Sequence, residues 1–296
     1  MKSPIIVLGA HRSGTSILTQ LLKELGLFVG KRRDHHYESF FFQRINIWLL
    51  QLAGANWSYP SPFNTLLNHT LLRKQCGEII RHWLSSRAYL SYLGIWNSIK
   101  YRSIFNLPFL WGWKDPRSTI TLPIWLDIFP KLKIVHIIRN GVDVAHSLSR
   151  RSNQMLEKSL GNQSKKEISR MAYWKSHKGC MKYFHLPIIL DSARCLSLES
   201  AFQLWEEYMT FADQNLKDFQ KNNLITIRYE DFLTNCVKNL NKICQFIGIS
   251  FSSEKIKVLC DKYIIPNRAF AYKNNLELKS FYDRICHRDY MIKYGY

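Results

Sequence analysis

IIVLGAHRSGTSILTQLLKEL, residues 5–25, carries the reading of the fold. Ile5–Leu8 is a short, continuous apolar run, the pattern of a strand buried on both faces. Gly9 and Gly14 bracket a loop. From Ser16 to Leu25 the apolar residues Ile17, Leu18, Leu21, Leu22 and Leu25 recur at helical spacing, and Gly26 supplies a stop. A strand that feeds a helix through a glycine loop opens a doubly wound sheet. Its loop offers backbone N–H groups at a helix N-terminus, where anions bind. The spacing is that of a nucleoside-triphosphate loop up to the second glycine, but Thr15 stands where the phosphate-binding lysine should be. Arg12 adds a guanidinium fork, and Ser13, Thr15 and Ser16 add hydroxyl donors.

The motif recurs in altered form further on. KIVHII, Lys133–Ile138, reads as a second buried strand. RNGVDVAHSLSRR, Arg139–Arg151, then turns and opens a helix over Val142–Arg151. Arg139 falls at the strand's end, where open α/β sheets bind ligands. Ser147 lies eight residues on, about two helical turns, and shares the face near Arg139. Arg150 and Arg151 extend the basic surface. Leu224–Tyr229 reads as a third strand and Phe109–Trp113 as a possible further one. Mostly helical patterns cover residues 64–100, 124–128, 198–219 and 232–247, while 31–63 reads as irregular and the tail from about 249 as mixed. This alternation predicts an α/β, P-loop-like, doubly wound and mainly parallel sheet flanked by helices. A chain of 296 residues with 46% hydrophobic content and no repeat or linker reads as one domain, 1–296. Helical or aromatic insertions are expected at about 31–105 and 152–196.

A net charge of +20 predicts an anionic partner without naming it. Seven cysteines without a C-x-x-C pair fit neither a zinc site nor a secreted disulfide framework, so mostly buried, reduced thiols are expected. With no signal peptide and no bilayer-length apolar stretch, the sequence reads as cytoplasmic, with peripheral contact to anionic surfaces as one use of the charge.

Together these segments resemble the sulfotransferase superfamily. HRSGTS, residues 11–16, resembles its 5'-phosphosulfate loop, and IIRNGVDVAHSLSRR, residues 137–151, its 3'-phosphate motif. KDP in WGWKDPR (111–117) and IRYEDF (227–232) resemble segments of the tyrosylprotein branch, while WGWKDPR and the terminal KYGY look more like bacterial members. The resemblance implies a donor, 3'-phosphoadenosine 5'-phosphosulfate (PAPS), and a product, adenosine 3',5'-bisphosphate (PAP). It assigns Arg12, Ser13, Gly14, Thr15 and Ser16 to the 5' end, Arg139 and Ser147 to the 3'-phosphate, Arg151 to a further basic contact, and Tyr229 to a place near the adenine. Lys114 falls at the catalytic lysine, and Glu38 in YESFFF at the catalytic glutamate.

The implied reaction moves a sulfuryl group to an acceptor hydroxyl of a glycan, glycolipid or small metabolite by in-line displacement without a metal. Lys114 and Arg12 are the candidates to neutralise the leaving oxygen. Glu38 is the candidate base, and His35 and His36 compete for that role. Asp115 and Arg117 are candidates to orient Lys114 or to bind substrate, and Arg268 and Lys273 to close over the nucleotide from the C-terminal side. The aromatic residues Tyr37, Phe40, Phe41, Phe42, Trp48 and Trp57 are expected in the core, with an acceptor pocket as the other reading. Two classes compete with the enzyme reading: a P-loop kinase or NTPase, and a non-catalytic basic protein that binds anions or nucleic acid.

Overall fold

The computed structural model describes residues 2–163, 190 and 192–296. Cys180 and most of the segment 152–196 lie outside the described residues. Four strands form the sheet: β1 (Ile5–Leu8), β2 (Gly112–Lys114), β3 (Lys133–Ile138) and β4 (Leu224–Arg228). Their order is β2-β1-β3-β4, and every pairing is parallel. The chain steps from β1 outward to β2, then returns to β3 on β1's other side. The carboxyl ends of β1 and β3 therefore flank the crevice where such sheets take ligands.

Helices cover both faces. On one side lie α1 (Thr15–Glu24) and, late in the chain, a helix at Cys236–Ile247 and one at Ser253–Tyr263. They bury Ile5 and Val7 of β1 and Val135 and Ile137 of β3. The alternate residues Ile6, Leu8, Ile134 and Ile138 face the other layer. That layer holds α2 (Phe40–Leu52), α3 (Phe63–Asn68), α4 (Thr70–Ser85), α5 (Leu90–Tyr101), α6 (Ser118–Ile128), α7 (Gly141–Gln163) and α8 (Leu198–Leu216). The chain finishes with α9 (Tyr229–Thr234), α10 (Cys236–Ile247), α11 (Ser253–Tyr263), α12 (Leu276–Ile285) and α13 (Asp289–Lys293). Among the described residues no helix is long and apolar enough to cross a membrane.

Several expectations need correction. Residues 40–52, read as irregular, form α2. Its buried Phe41, Phe42, Ile45, Leu49 and Leu50 recur at helical spacing, a signal the neighbouring charges obscured. Phe42 and Trp113 stack at 4.0 Å with ring planes 5° apart, so much of the aromatic cluster is core. The helix read as Val142–Arg151 spans Gly141–Gln163. Not all cysteines are thiols: Cys236 at the start of α10 and Cys260 near the end of α11 form a disulfide, with Cα atoms 6.0 Å apart. Twenty-four residues separate the pair, and only the packing of α10 on α11 brings it together. Cys76 and Cys244 are buried thiols.

His136, in the middle of β3, is 2% exposed, and its Nε2 has no partner among the described residues. Burial lowers its pKa to about 4. The folded protein therefore binds this proton less readily than the unfolded chain, whose histidine titrates near 6.5. Stability should fall as pH drops from about 6.5 toward about 4, by roughly 2.303RT per unit for this one group. Urea denaturation at stepped pH values checks it: His136→Met should flatten that slope, and an unchanged slope would refute the assignment.

Candidate functional site

The first wall of the site is the loop between β1 and α1. Arg12 sits at φ 68° and Gly14 at φ 94°, two left-handed residues that reverse the chain sharply into the helix. Ser13 differs from expectation. Its hydroxyl donates to Ala10 O at 2.6 Å and its backbone N–H to the same oxygen at 3.2 Å, so Ser13 braces the loop instead of facing outward. Thr15 and Ser16 open α1 and line the cleft with Arg12 and Gly14.

The second wall follows from β3 lying beside β1. Arg139 Nη1 donates to Arg12 O at 3.1 Å, and Arg12 Nε donates to Ser147 Oγ at 2.9 Å. The glycine loop and the basic turn, more than a hundred residues apart, thus meet. The Arg139 guanidinium lies over the Tyr229 ring at 4.8 Å, and its Nε is buried without a partner among the described residues. Tyr229 in turn lies flat against Gly14: a Cβ there would meet its ring at 2.3 Å. Asp143 faces Arg139 at 3.6 Å, but it also accepts the backbone N–H groups of Tyr272 at 2.8 Å and Ala271 at 3.2 Å. Partial burial, then the fields of Arg151 and Arg139, lower the pKa of Arg12. Like charges held this close favour an anion between them.

The third wall carries the acid and the lysine. β2 ends at Lys114, which is 1% exposed. Its Nζ donates to Glu38 Oε1 at 2.8 Å. Arg117 Nη1 reaches Glu38 Oε2 at 3.3 Å and Asp115 Oδ1 at 2.9 Å, and Gln43 Nε2 donates to Glu38 Oε2 at 3.0 Å. Asn46 of α2 anchors Asp115 at 2.8 Å. Burial alone would raise the Glu38 pKa, but Lys114, with Arg117 adding, outweighs it and holds the carboxyl down at about 2. Asp34 Oδ1 accepts from the backbone N–H groups of His36 and Glu38 and so shapes the strap that presents the acid. The His35 and His36 rings lie 3.9 Å apart on the same strap.

These walls enclose two adjoining cavities. One, of about 290 Å³, is lined by Lys114, Glu38, Gln43, Arg117 and Arg151. The other, of about 350 Å³, is lined by Arg139, Ser147, Tyr229, Leu233 and Arg268. Arg12, Gly14, Ser16, His35 and His36 line both, so the two are one cleft. Arg12, Gly14, Thr15, Ser16, Glu38, Lys114, Arg117, Arg139, Ser147, Arg151, Tyr229 and Arg268 all line this cleft, whereas Ser13 does not and Asp115 is buried behind Arg117. Lys273 is elsewhere, over the Phe270 ring at 4.7 Å. Tyr37 lines the Arg139 end. Among the described residues no group of histidines, cysteines and acids is placed to hold a metal ion.

His11 is the functional candidate the sequence did not single out. It precedes Arg12, packs on Trp57 at 4.8 Å and Tyr208 at 5.7 Å, and lines the Lys114 end of the cleft. Its Nε2 is shielded from water and has no partner among the described residues. Burial, reinforced by Arg117, lowers its pKa well below the usual histidine value, so it is neutral near pH 7. No spacing rule marks it; its role depends on Trp57 and α8 closing over it.

A parallel sheet of this order, with a glycine loop and a basic turn at the ends of neighbouring strands, defines an α/β protein with a basic crevice at the carboxyl ends of its strands. The sequence matches the sulfotransferase domain family over residues 2–289, and the chain belongs to that family. Among solved structures it is similar to a sulfotransferase domain from the curacin biosynthetic pathway, at 13% identity, covering 97% of this chain and 99% of that one, with a TM-score of 0.49. It is also similar to a sulfotransferase from Alicyclobacillus acidocaldarius, at 17% identity, covering 84% and 82% of the two chains, with a TM-score of 0.45. A search of curated proteins returns no match.

The close approach of Gly14 to Tyr229 gives a direct test. Gly14→Ala should destabilise the protein by about 1–3 kcal/mol, since it forces a left-handed alanine against the ring. Gly77→Ala, in α4 where a Cβ meets nothing within 4 Å, should instead stabilise by about 0.5–1 kcal/mol. Urea unfolding of both variants checks the contrast.

Proposed function

We propose that this protein transfers a sulfuryl group from PAPS to an acceptor hydroxyl of a glycan, glycolipid or small metabolite. The observation that carries the reading is the continuity of the cleft. Arg139, Ser147 and Tyr229 stand at one end, Lys114 and Glu38 at the other, and the Arg12–Ser16 loop between them. That arrangement suits a nucleotide with an anion at each end.

The residues present fit such a donor. Arg139, with its unsatisfied buried Nε, and Ser147 would hold the 3'-phosphate. Tyr229 would flank the adenine. Arg12 and the N–H groups at the start of α1, with the Thr15 and Ser16 hydroxyls, would hold the 5' end. Arg151 lines the reaction end and adds charge there. When bound, the donor supplies the sulfuryl group and a 5'-phosphate leaving group. The acceptor oxygen bonds to sulfur as the bond from sulfur to the bridging oxygen breaks.

Lys114 and Arg12 neutralise the charge that builds on the departing oxygen. Glu38 takes the acceptor's proton. Its low pKa makes it a weak base while Lys114 is its partner. Drawing Lys114 toward the leaving oxygen frees the carboxylate and raises its basicity as the proton must move. Arg117 keeps Glu38 aligned meanwhile. A cytoplasmic location belongs to the same proposal, and the Cys236–Cys260 disulfide, of a kind uncommon in reducing compartments, bears against it.

Calorimetry and labelled-donor turnover test the reading. The protein should bind PAP without magnesium. Lys114→Ala should lose about a hundredfold or more in turnover while keeping PAP affinity. Magnesium-dependent ATP hydrolysis would instead assign a P-loop phosphoryl-transfer enzyme. The pH profile separates the bases. With Glu38 as base, kcat/KM stays flat from pH 7 down to about pH 5, whereas a histidine base gives an acid limb near its own pKa.

A further inference from the structure

The strap that presents Glu38 to the cleft has a second side. Lys31 N donates to Tyr92 O at 2.7 Å and Arg32 N to Ser91 O at 3.2 Å, which pins the strap's start against α5. Between α2, α4 and α5 runs a groove of about 1010 Å³, much larger than either part of the cleft. Phe41, Ile45, Trp48 and Trp83 floor it, and Leu90, Ile95 and Trp96 form its outer wall. Four cations line the same groove, Lys31, Arg32, Arg44 and Arg87, and no acid does so among the described residues.

The outer wall points away from the protein. Trp96 is 86% exposed, Ile95 69% and Ile99 65%. At positions i, i+1 and i+4 the three share one helical face. Gly94, at φ 75° and ψ 167°, breaks the helix just before them, so their outward turn is set by the backbone. Ile95 and Trp96 wall the groove on one side and, with Ile99, present most of their surface to solvent. A second copy of the chain would bring the same four cations, and a net charge of +20, onto this face.

We propose that this face docks on an anionic lipid bilayer, with Ile95, Trp96 and Ile99 entering the headgroup–acyl boundary and Lys31, Arg32, Arg44 and Arg87 meeting the headgroups. Tryptophan beside aliphatic residues under a basic rim is the chemistry of interfacial binding, in which apolar area and charge act together. Docking of this kind is separate from donor chemistry and stands whether or not the protein transfers sulfuryl groups. It also brings the strap carrying Glu38 next to the headgroup layer.

The test is cosedimentation of the full chain at about 0.15 M ionic strength. One set of vesicles holds equal parts phosphatidylglycerol and phosphatidylcholine, and the other phosphatidylcholine alone. The protein should pellet with the first and not the second. The double variant Trp96→Asp/Ile99→Asp should bind at least about tenfold more weakly. Its melting temperature and PAP affinity should be unchanged, since both side chains lie in solvent. Arg87→Glu should weaken binding as well. No binding to the anionic vesicles overturns the proposal. Equal binding by the double variant also overturns it, because charge alone then suffices. Two further outcomes reassign the groove: a concentration-dependent dimer lost in the double variant, or saturable one-to-one binding of a monomeric lysophospholipid without vesicle binding.

Discussion

The parallel pairing of β1 with β3 is the constraint from which the rest of the site follows. Ile5–Leu8 run in register with Lys133–His136, so the two strands end side by side. Each then leaves the sheet through a turn that opens a helix. Arg12 and Arg139 are thereby forced into contact although their segments read as separate motifs. Shifting either strand by one residue would reverse every side chain on it and carry one arginine away from the crevice. The apolar alternation that fixes register, Ile6 and Leu8 against Ile5 and Val7, is thus also what fixes the spacing of the charges.

The charges gathered there are kept apart from their natural partners. Each acid near the crevice is already committed. Glu38 holds Lys114 and Arg117. Asp143 caps the backbone of Ala271 and Tyr272. Glu230 accepts from the backbone of Asn140 at 3.0 Å and from the Tyr296 hydroxyl at 2.7 Å. The last two ties fasten the C-terminal segment to the carboxyl ends of β3 and β4. Arg12 is left with a serine, and Arg139 shares Asp143, at 3.6 Å, with two backbone N–H groups. Two guanidinium groups this close with little negative charge between them favour a bound anion.

How much of this was legible follows from the range of each signal. β1, its loop and α1, and β3 with its turn, are local patterns of a few residues, and the sequence marked them within a residue or two. The first anion loop, the basic turn and the KDP segment could be named because their chemistry lies in adjacent positions. β2 was placed early by some residues, since Trp111 and Trp113 read as core whether or not they pair. α2 was hidden because two of its polar residues, Gln43 and Asn46, face inward to bond other residues instead of facing solvent. Asn46 is fully buried and accepts from Thr121 and from Trp125 Nε1. The Cys236–Cys260 bond and the burial of His11 depend on how distant helices meet, and no window along the chain contains that information.

The Lys114–Glu38 pair shows why residue type alone did not settle the roles at the reaction end. Lys114, in contact with Glu38 and shut from water, holds the carboxyl in its charged form and so blunts it as a base. The pair is productive only if something else competes for the lysine. An anionic leaving oxygen is such a competitor, and it appears only as the bond to it breaks. In the proposed transfer the ion pair would link two demands of one step: neutralisation where charge builds, and basicity where a proton must leave. Arg117, 3.3 Å from Glu38, would keep a cation beside the carboxylate if Lys114 turned away. An isolated Lys–Glu pair would instead strand a buried carboxylate, so the second cation is what lets the first be used.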